Sequence, residues 1–241
     1  MRIAIMQPYL LPYIGYFQLI NHVDRFVVYD RIKYTKKGWI NRNRMLRNGD
    51  PVTFTVPVRK DADHLDIYQR YVAESYVPGK LIGQIEGAYR GAPQFAVTMP
   101  VVHEILNYAS KSLFDFLDHS LRLTCQHIGI KTPIVVSSAI EPLPCREASP
   151  LQGQDRVIGI CTALGATDYV NPIGGLELYD AGAFAAHDVS LGFIRTTKVH
   201  YAQFVEPFQP SLSILDVMMF NDLDRICEFL TTGFERVAPR S

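Results

Sequence analysis

Apolar and polar positions along this chain alternate between two periods. Residues 2–6 (RIAIM) form a short run rich in β-branched side chains that stops before Pro8, and residues 25–30 (RFVVYD) form a second. Between them, residues 13–20 are apolar over a helical length, so the start of the chain reads as strand, helix, strand. If the two strands are parallel, the crossover is right-handed and the loop after the first strand lies at the carboxyl edge of the sheet. Open α/β sheets bind their ligands at that edge. Residues 51–58 (PVTFTVPV) alternate as a third strand. Residues 33–50 before them are polar, basic and rich in turn formers, which predicts a long loop facing a ligand.

The middle of the chain is more helical. Residues 80–89 and 101–128 are helix-forming, with Ser112 and Asp115 placed as a capping pair that restarts the second stretch and Gly129 as its stop. Residues 131–140 (KTPIVVSSAI) read as a buried strand with a polar end. Ser149 as N-cap and Pro150 as first helical residue open a helix through Ala163 that closes at Gly165. Residues 168–170 form a short strand, 181–187 a short helix and 190–195 another strand, and 212–219 and 222–230 finish the chain as helices. This alternation predicts an α/β fold with a mainly parallel sheet and helices on both faces. Residues 1–241 read as one domain with a helical C-terminal segment.

Composition narrows the function classes. With 48% apolar residues and 20% charged ones, the chain can bury a large core without disulfides or metal. Lys plus Arg equals Asp plus Glu at 24 each, so no whole-molecule basic field draws nucleic acid or an anionic membrane. The N-terminus makes a poor secretion signal and no run approaches a membrane span. Cys125, Cys145, Cys161 and Cys227 lack metal or redox spacing and read as reduced thiols, which predicts a cytoplasmic protein. No histidine pair has ligand spacing, so no metal is expected. Homo-oligomerisation is compatible with all of this.

Two polar clusters carry the candidate chemistry. In Gln7-Pro8-Tyr9-Leu10-Leu11-Pro12-Tyr13-Ile14-Gly15-Tyr16, two prolines, a glycine and three tyrosines sit where a strand hands over to a helix. This is either a stiffened turn packing tyrosines on the core, or a preorganised floor on which Gln7, Tyr9, Tyr13, Gly15 and Tyr16 receive a polar or anionic ligand. The second cluster comprises Asp30, Tyr34, Lys36, Lys37, Trp39, Asn41, Arg42, Asn43 and Arg44. It reads either as a solvated basic loop or as a binding face. Its Trp or Tyr rings would stack a sugar or base, and its Arg and Asn would hold phosphate or carboxylate.

Further along, Ser137 and Ser138 at a strand end either contact a ligand or cap a turn, and no nucleophile elbow surrounds them. Asn171, Gly174 and Gly175 form either a backbone cradle or an ordinary turn. Ser211 or Ser213 with Asp216 marks a helix start. Asp30 is the strongest carboxylate candidate and His200, flanked by Lys198 and Tyr201, the best histidine for proton transfer.

These stretches resemble the WbqC-like family, bacterial proteins found with surface-polysaccharide gene clusters. The resemblance rests on QPYLLPYIGYFQLI, FVVYD, YTKKGWINRNR, LGATDYVNPIGG and FQPSLSILDVM, the first and third being the specific segments. It implies a transferase that moves an amino acid such as glycine, or a related acyl group, to an amino sugar during O-antigen and lipopolysaccharide biosynthesis. Several relatives carry His before the Gln-Pro pair, whereas this chain has Met6. The Tyr13-Ile14-Gly15-Tyr16 segment also resembles, in place and spacing, the HxGH loop of nucleotidyltransferases, with tyrosines replacing both histidines. That likeness supports a Rossmann-like sheet and argues against nucleotidyl transfer.

The resulting expectation is an aminoacyl or acyl transferase acting on a nucleotide-linked sugar. Asp30 or His200 would accept the proton, Gln7, Tyr16 or Asn41 would face the oxyanion, and Lys37, Arg42 and Arg44 would hold diphosphate. The donor is an acyl thioester, an aminoacyl-tRNA or an ATP-activated amino acid, and tRNA is the only nucleic acid in view. The alternatives are a non-catalytic sugar-nucleotide-binding or scaffold protein and a degenerate relative of the nucleotidyltransferases.

Overall fold

The computed structural model describes residues 1–140, 153–197 and 199–239. The expected helix start at Ser149 and Pro150, Cys145, and Lys198 beside His200 lie outside the described residues.

In chain order the elements are β1 (Arg2–Met6), α1 (Ile14–His22), β2 (Arg25–Val28), β3 (Arg42–Arg47), β4 (Asp50–Thr55), α2 (Pro78–Tyr89), α3 (Phe95–Leu106), α4 (Leu113–His127) and β5 (Ile134–Val136). They continue with α5 (Gly153–Ala163), β6 (Asp168–Pro172), α6 (Ala181–Ala185), β7 (Ser190–Thr196), α7 (Ile214–Phe220), α8 (Leu223–Thr232) and β8 (Phe234–Val237). Six strands form one sheet in the order β5-β2-β1-β6-β7-β8. The first five run parallel and β8 runs antiparallel to β7.

Side-chain alternation divides the core between the two faces. Ala4, Phe26, Val28, Val170 and Ile194 point into the larger cluster, together with α1, α2, α3, α4, α7 and α8. Ile3, Ile5, Val27, Tyr169, Leu191 and Phe193 point into a smaller one with Val157, Ile160 and Phe184 from α5 and α6. Central parallel strands are buried on both sides, which is why β1 and β2 are apolar without interruption. Each large side chain so buried contributes roughly 1.5–3 kcal/mol. The fold is thus α/β, with helices on both faces.

Three expectations are corrected. Residues 33–50 are not all loop, because β3 lies within them and pairs antiparallel with β4, from Arg42 opposite Thr55 to Arg47 opposite Asp50. The turn is Asn48-Gly49, both at positive φ (53° and 88°), the backbone that a two-residue hairpin requires. Residues 51–58 therefore do not join the main sheet. Their strand pairs only with β3, and Met45, Leu46 and Phe54 of this hairpin pack on the larger core beside α2 and α7.

The C-terminal segment is not wholly helical either, since β8 closes the sheet edge. Its charged residues face outward, where Glu235 pairs with Arg195 and Arg236 reaches Asp168. Finally, residues 131–140 supply only three strand residues before a single turn of 3₁₀ helix from Ser137 to Ile140.

The capping expectations hold where they can be read. Ser112 accepts a hydrogen bond from the Asp115 amide, Gly129 and Gly165 end their helices at positive φ, and Ser213 caps α7. The stretch from 101 to 128 is two helices, and the first begins at Phe95, upstream of Pro100.

Candidate functional site

The strand order creates one crevice. The chain leaves β1 toward α1 on the larger-core face, and leaves the neighbouring β6 toward α6 on the other face. Adjacent parallel strands whose connections diverge in this way open a gap beyond their carboxyl ends, and ligands of α/β proteins settle there. A cavity of about 470 Å³ occupies this gap. Met6 and Gln7 line it from the end of β1, Asn171 and Pro172 from β6, Gly174 and Gly175 from the turn that follows, Tyr29 from the end of β2, and Gln154 and Val157 from α5.

The turn after β1 is locked from several sides. Leu11 holds a positive φ of 41°, a strained conformation for a leucine. Its carbonyl accepts hydrogen bonds from Asn43 Nδ2 at 2.8 Å and Ser213 Oγ at 2.7 Å, and Asn43 Nδ2 also reaches the Leu10 carbonyl at 3.1 Å. The Leu10 amide donates to the Ile40 carbonyl. The wholly buried Tyr16 donates its hydroxyl to the Gln7 carbonyl at 2.8 Å. A Cβ on Gly15 would lie 2.3 Å from the Tyr13 ring and 2.5 Å from Thr196 Oγ1, so the glycine admits close packing of α1 against Tyr13 and the end of β7. Gly15 and Tyr16 thus build the floor, while Gln7, Tyr9 and Tyr13 face the open space.

A second cavity of about 410 Å³ adjoins the first, sharing Tyr9 and Gly174 with it. Tyr13, Trp39, Asn43, Arg44 and Ser211 also line it. Trp39 is 45% exposed, and the guanidinium carbons of Arg42 and Arg44 stand 5.8 and 5.7 Å from its ring. Such spacing is within cation–π range. Arg42 donates to the carbonyls of Gly38 (2.9 Å) and Lys37 (2.6 Å), which fixes the loop carrying Trp39, and Arg44 donates to Ser211 at 3.2 Å. Burial raises the Tyr9 and Tyr13 hydroxyls above the ordinary tyrosine value, with Tyr13 adding to the effect on Tyr9. Both remain protonated hydrogen-bond donors at neutral pH.

Other sequence candidates sit elsewhere or are engaged within the protein. Asp30 is buried, accepts from Ser137 Oγ at 2.6 Å and from the Ser138 amide at 3.1 Å, and so ties the end of β2 to the end of β5. Asn41 accepts from the Tyr34 hydroxyl at 2.9 Å and donates to the Val56 carbonyl at 2.8 Å. Lys36 pairs with Asp63 on the surface, and Lys37 is exposed. His200 is exposed beside Phe208, on the segment between β7 and α7. None of these residues lines either cavity.

Sequence reasoning missed Tyr29, Gln154 and Tyr179. Tyr29 stood at a readable strand end. Gln154 and Tyr179 reach the site only through the crossover that places α5 and the turn after β6 around it, and their local sequence carries no signal. Among the described residues no helix is long and apolar enough to cross a membrane, and no group of three or more His, Cys, Asp or Glu is placed to hold a metal ion.

The chain is similar to the uncharacterized protein Rv1507c of Mycobacterium tuberculosis, 27% identical over 223 residues that cover 91% of this chain and 93% of that one. No solved structure matches it significantly. The profile of the WbqC-like protein family matches residues 7–227, a span that runs from the Gln7 floor through Trp39 and Asn171 to α8. The chain therefore belongs to the WbqC-like protein family.

Proposed function

We propose that the joined cavities bind a nucleotide-linked amino sugar, and that acyl or aminoacyl transfer to the sugar's amine is the reaction this complex undergoes. The observation that carries the reading is the pairing of unlike halves. One cavity at the switch point has carboxamides and tyrosines in its lining, and the adjoining cleft presents Trp39 with Arg44, while Arg42 stands against the Trp39 ring. A sugar nucleotide has the same division, with a neutral polar ring at one end and an aromatic base and diphosphate at the other.

In the proposed reaction the amine nitrogen forms a C–N bond to the donor's acyl carbon. The donor's C–S or C–O bond breaks and its electron pair leaves on the sulfur or oxygen. The proton lost by the amine joins a thiol or alcohol leaving group, or passes to solvent when the leaving group is the phosphate of an ATP-activated amino acid. Holding amine and carbonyl in contact is the main contribution available to Gln7, Tyr9 and Asn171, as hydrogen-bonding and orienting groups. A family role in surface-polysaccharide assembly inside the cell fits this chemistry.

A second reading, a non-catalytic sugar-nucleotide-binding protein, is favoured by one specific observation. Among the described residues, no histidine, cysteine or carboxylate lines either cavity. Incubating the purified chain with nucleotide-linked amino sugars and a panel of acyl thioesters, aminoacyl-tRNAs and amino acids with ATP separates the two. A product heavier by the acyl group establishes transfer. Tight binding without product across the panel establishes the binding protein, and no binding at all rejects both.

A further inference from the structure

The functional reading matches the two halves of the ligand to the two cavities only in outline, and the side chains around β6 say which residue reads the sugar. Asn171 is 5% exposed and lines the switch-point cavity, yet its carboxamide makes no hydrogen bond among the described residues. Its polar atoms are not among the buried ones cut off from solvent, so the carboxamide opens on the cavity and is available to pair with what fills it. The backbone around it is shaped to hold it in place. A Cβ on Gly175 would stand 2.0 Å from Asn171 Nδ2 and 3.1 Å from its Cγ, so the turn after β6 closes on the carboxamide and only glycine permits this approach. Gln7, the residue after β1, presents a second carboxamide to the same cavity, and Tyr9 a protonated hydroxyl.

Resting on the sugar-nucleotide reading above, we propose that the switch-point cavity receives the amino-sugar end and the Trp39 cleft receives the nucleoside diphosphate, with Asn171 as the residue that reads the sugar. A carboxamide both donates and accepts, which matches the hydroxyls and amine of a sugar ring. A diphosphate accepts only. Placed beside Asn171 and Gln7 it would face two carbonyl oxygens, while placed in the cleft beside Arg44 it meets fixed positive charge. The base then stacks on the exposed Trp39 face, an interaction that tolerates different bases because each has a π-face. Tyr9 and Gly174, shared by both cavities, lie where the bond between sugar and phosphate crosses. There the Tyr9 hydroxyl donates to the phosphate, and Gly174 leaves room for the crossing.

Titration calorimetry on the full chain tests this assignment. The probes are uridine, guanosine and deoxythymidine diphosphates, each bare and each linked to a hexosamine, titrated into wild type, Trp39→Ala, Asn171→Leu and Asn171→Asp. The Trp39 variant is expected to weaken bare and sugar-linked nucleotides alike, by about tenfold. Both Asn171 variants are expected to weaken only the sugar-linked probes, by about tenfold, and to leave the bare diphosphates within about twofold. The aspartate keeps the asparagine's shape, so a loss shared by both variants reports recognition rather than misfolding. Equal loss of bare and sugar-linked binding on changing Asn171 overturns the assignment while leaving the sugar-nucleotide reading intact. A wild type that binds no probe overturns that reading itself, and the assignment falls with it.

Discussion

The two cavities are built by opposite means. The switch-point cavity belongs to the parallel sheet: its walls are strand ends whose positions follow from backbone pairing, such as Met6 opposite Val28, and its polar groups are neutral. The Trp39 cleft belongs to the β3–β4 hairpin outside that sheet, and its polar character comes from arginines on an exposed surface. One is held by register, the other by a loop that Arg42 staples with two hydrogen bonds. Neutral groups fixed by a sheet suit recognition of a particular shape. Cations on a hairpin suit attraction of charge, which is long-ranged and less selective.

The residue joining the two systems carries the largest expected effect. Asn43 sits on β3, lines the second cavity, and clamps the carbonyls of Leu10 and Leu11 in the turn that carries Gln7 and Tyr9 to the first. Asn43→Ala should cost about 2–4 kcal/mol in urea unfolding, because buried acceptors lose their donor and the strained Leu11 loses a restraint. It should weaken ligands of both cavities. A change confined to the hairpin cleft would show that the two are independently built.

Gly175→Ala comes next and acts on one side only. Forcing Asn171 aside should weaken the sugar-linked probes about tenfold, cost about 1–3 kcal/mol in stability, and leave bare diphosphates unaffected in calorimetry.

Salt separates the cavities without mutation. Raising ionic strength from about 0.1 to about 1 M shortens the screening length from about 10 to about 3 Å. Bare diphosphates should lose affinity several-fold, and the further gain from the linked sugar should stay constant. A sugar contribution that falls equally with salt would mean that charge also governs the switch-point cavity.

The smallest effect lies at the opposite edge of the sheet and serves as a control. Burial pushes the Asp168 carboxyl up, but the Arg2 hydrogen bond and the charges of Arg236 and Arg2 outweigh it and hold the carboxyl below the ordinary aspartate value. A depressed folded value means that the unfolded chain binds the proton first as pH falls. The stabilisation is therefore complete above the unfolded value and is lost as pH drops through the folded one. Comparing urea midpoints of wild type and Asp168→Asn across that window should show a difference below about 1 kcal/mol that vanishes at the acid end, with ligand binding near neutral pH unchanged.

Much of this was legible in the chain. The β1, α1, β2 opening follows from apolar runs of two different periods, the helix starts at Ser112 and Ser213 from capping chemistry, and the helix ends at Gly129 and Gly165 from the need for positive φ. The β3–β4 hairpin left one signal, Asn48-Gly49, but the three arginines and one asparagine of β3 mask the strand, leaving only Met45 and Leu46 as apolar positions. β8 was not legible. Its four residues carry two charges, and they form a strand only because β7 offers an unpaired edge.

Sequence by itself determined which side chains were available near the site: the tyrosines and Gln7 after β1, Trp39 among arginines, and Asn171 beside its glycines. Tertiary structure alone decided how each is used. Tyr16, Asn41 and Asp30 look no less reactive on paper than Tyr9, Gln7 and Asn171, yet the first three are spent on internal hydrogen bonds and the last three face cavities. Local sequence fixes backbone periodicity, but whether a polar group finds a partner depends on residues far away in the chain, brought near only when the sheet forms.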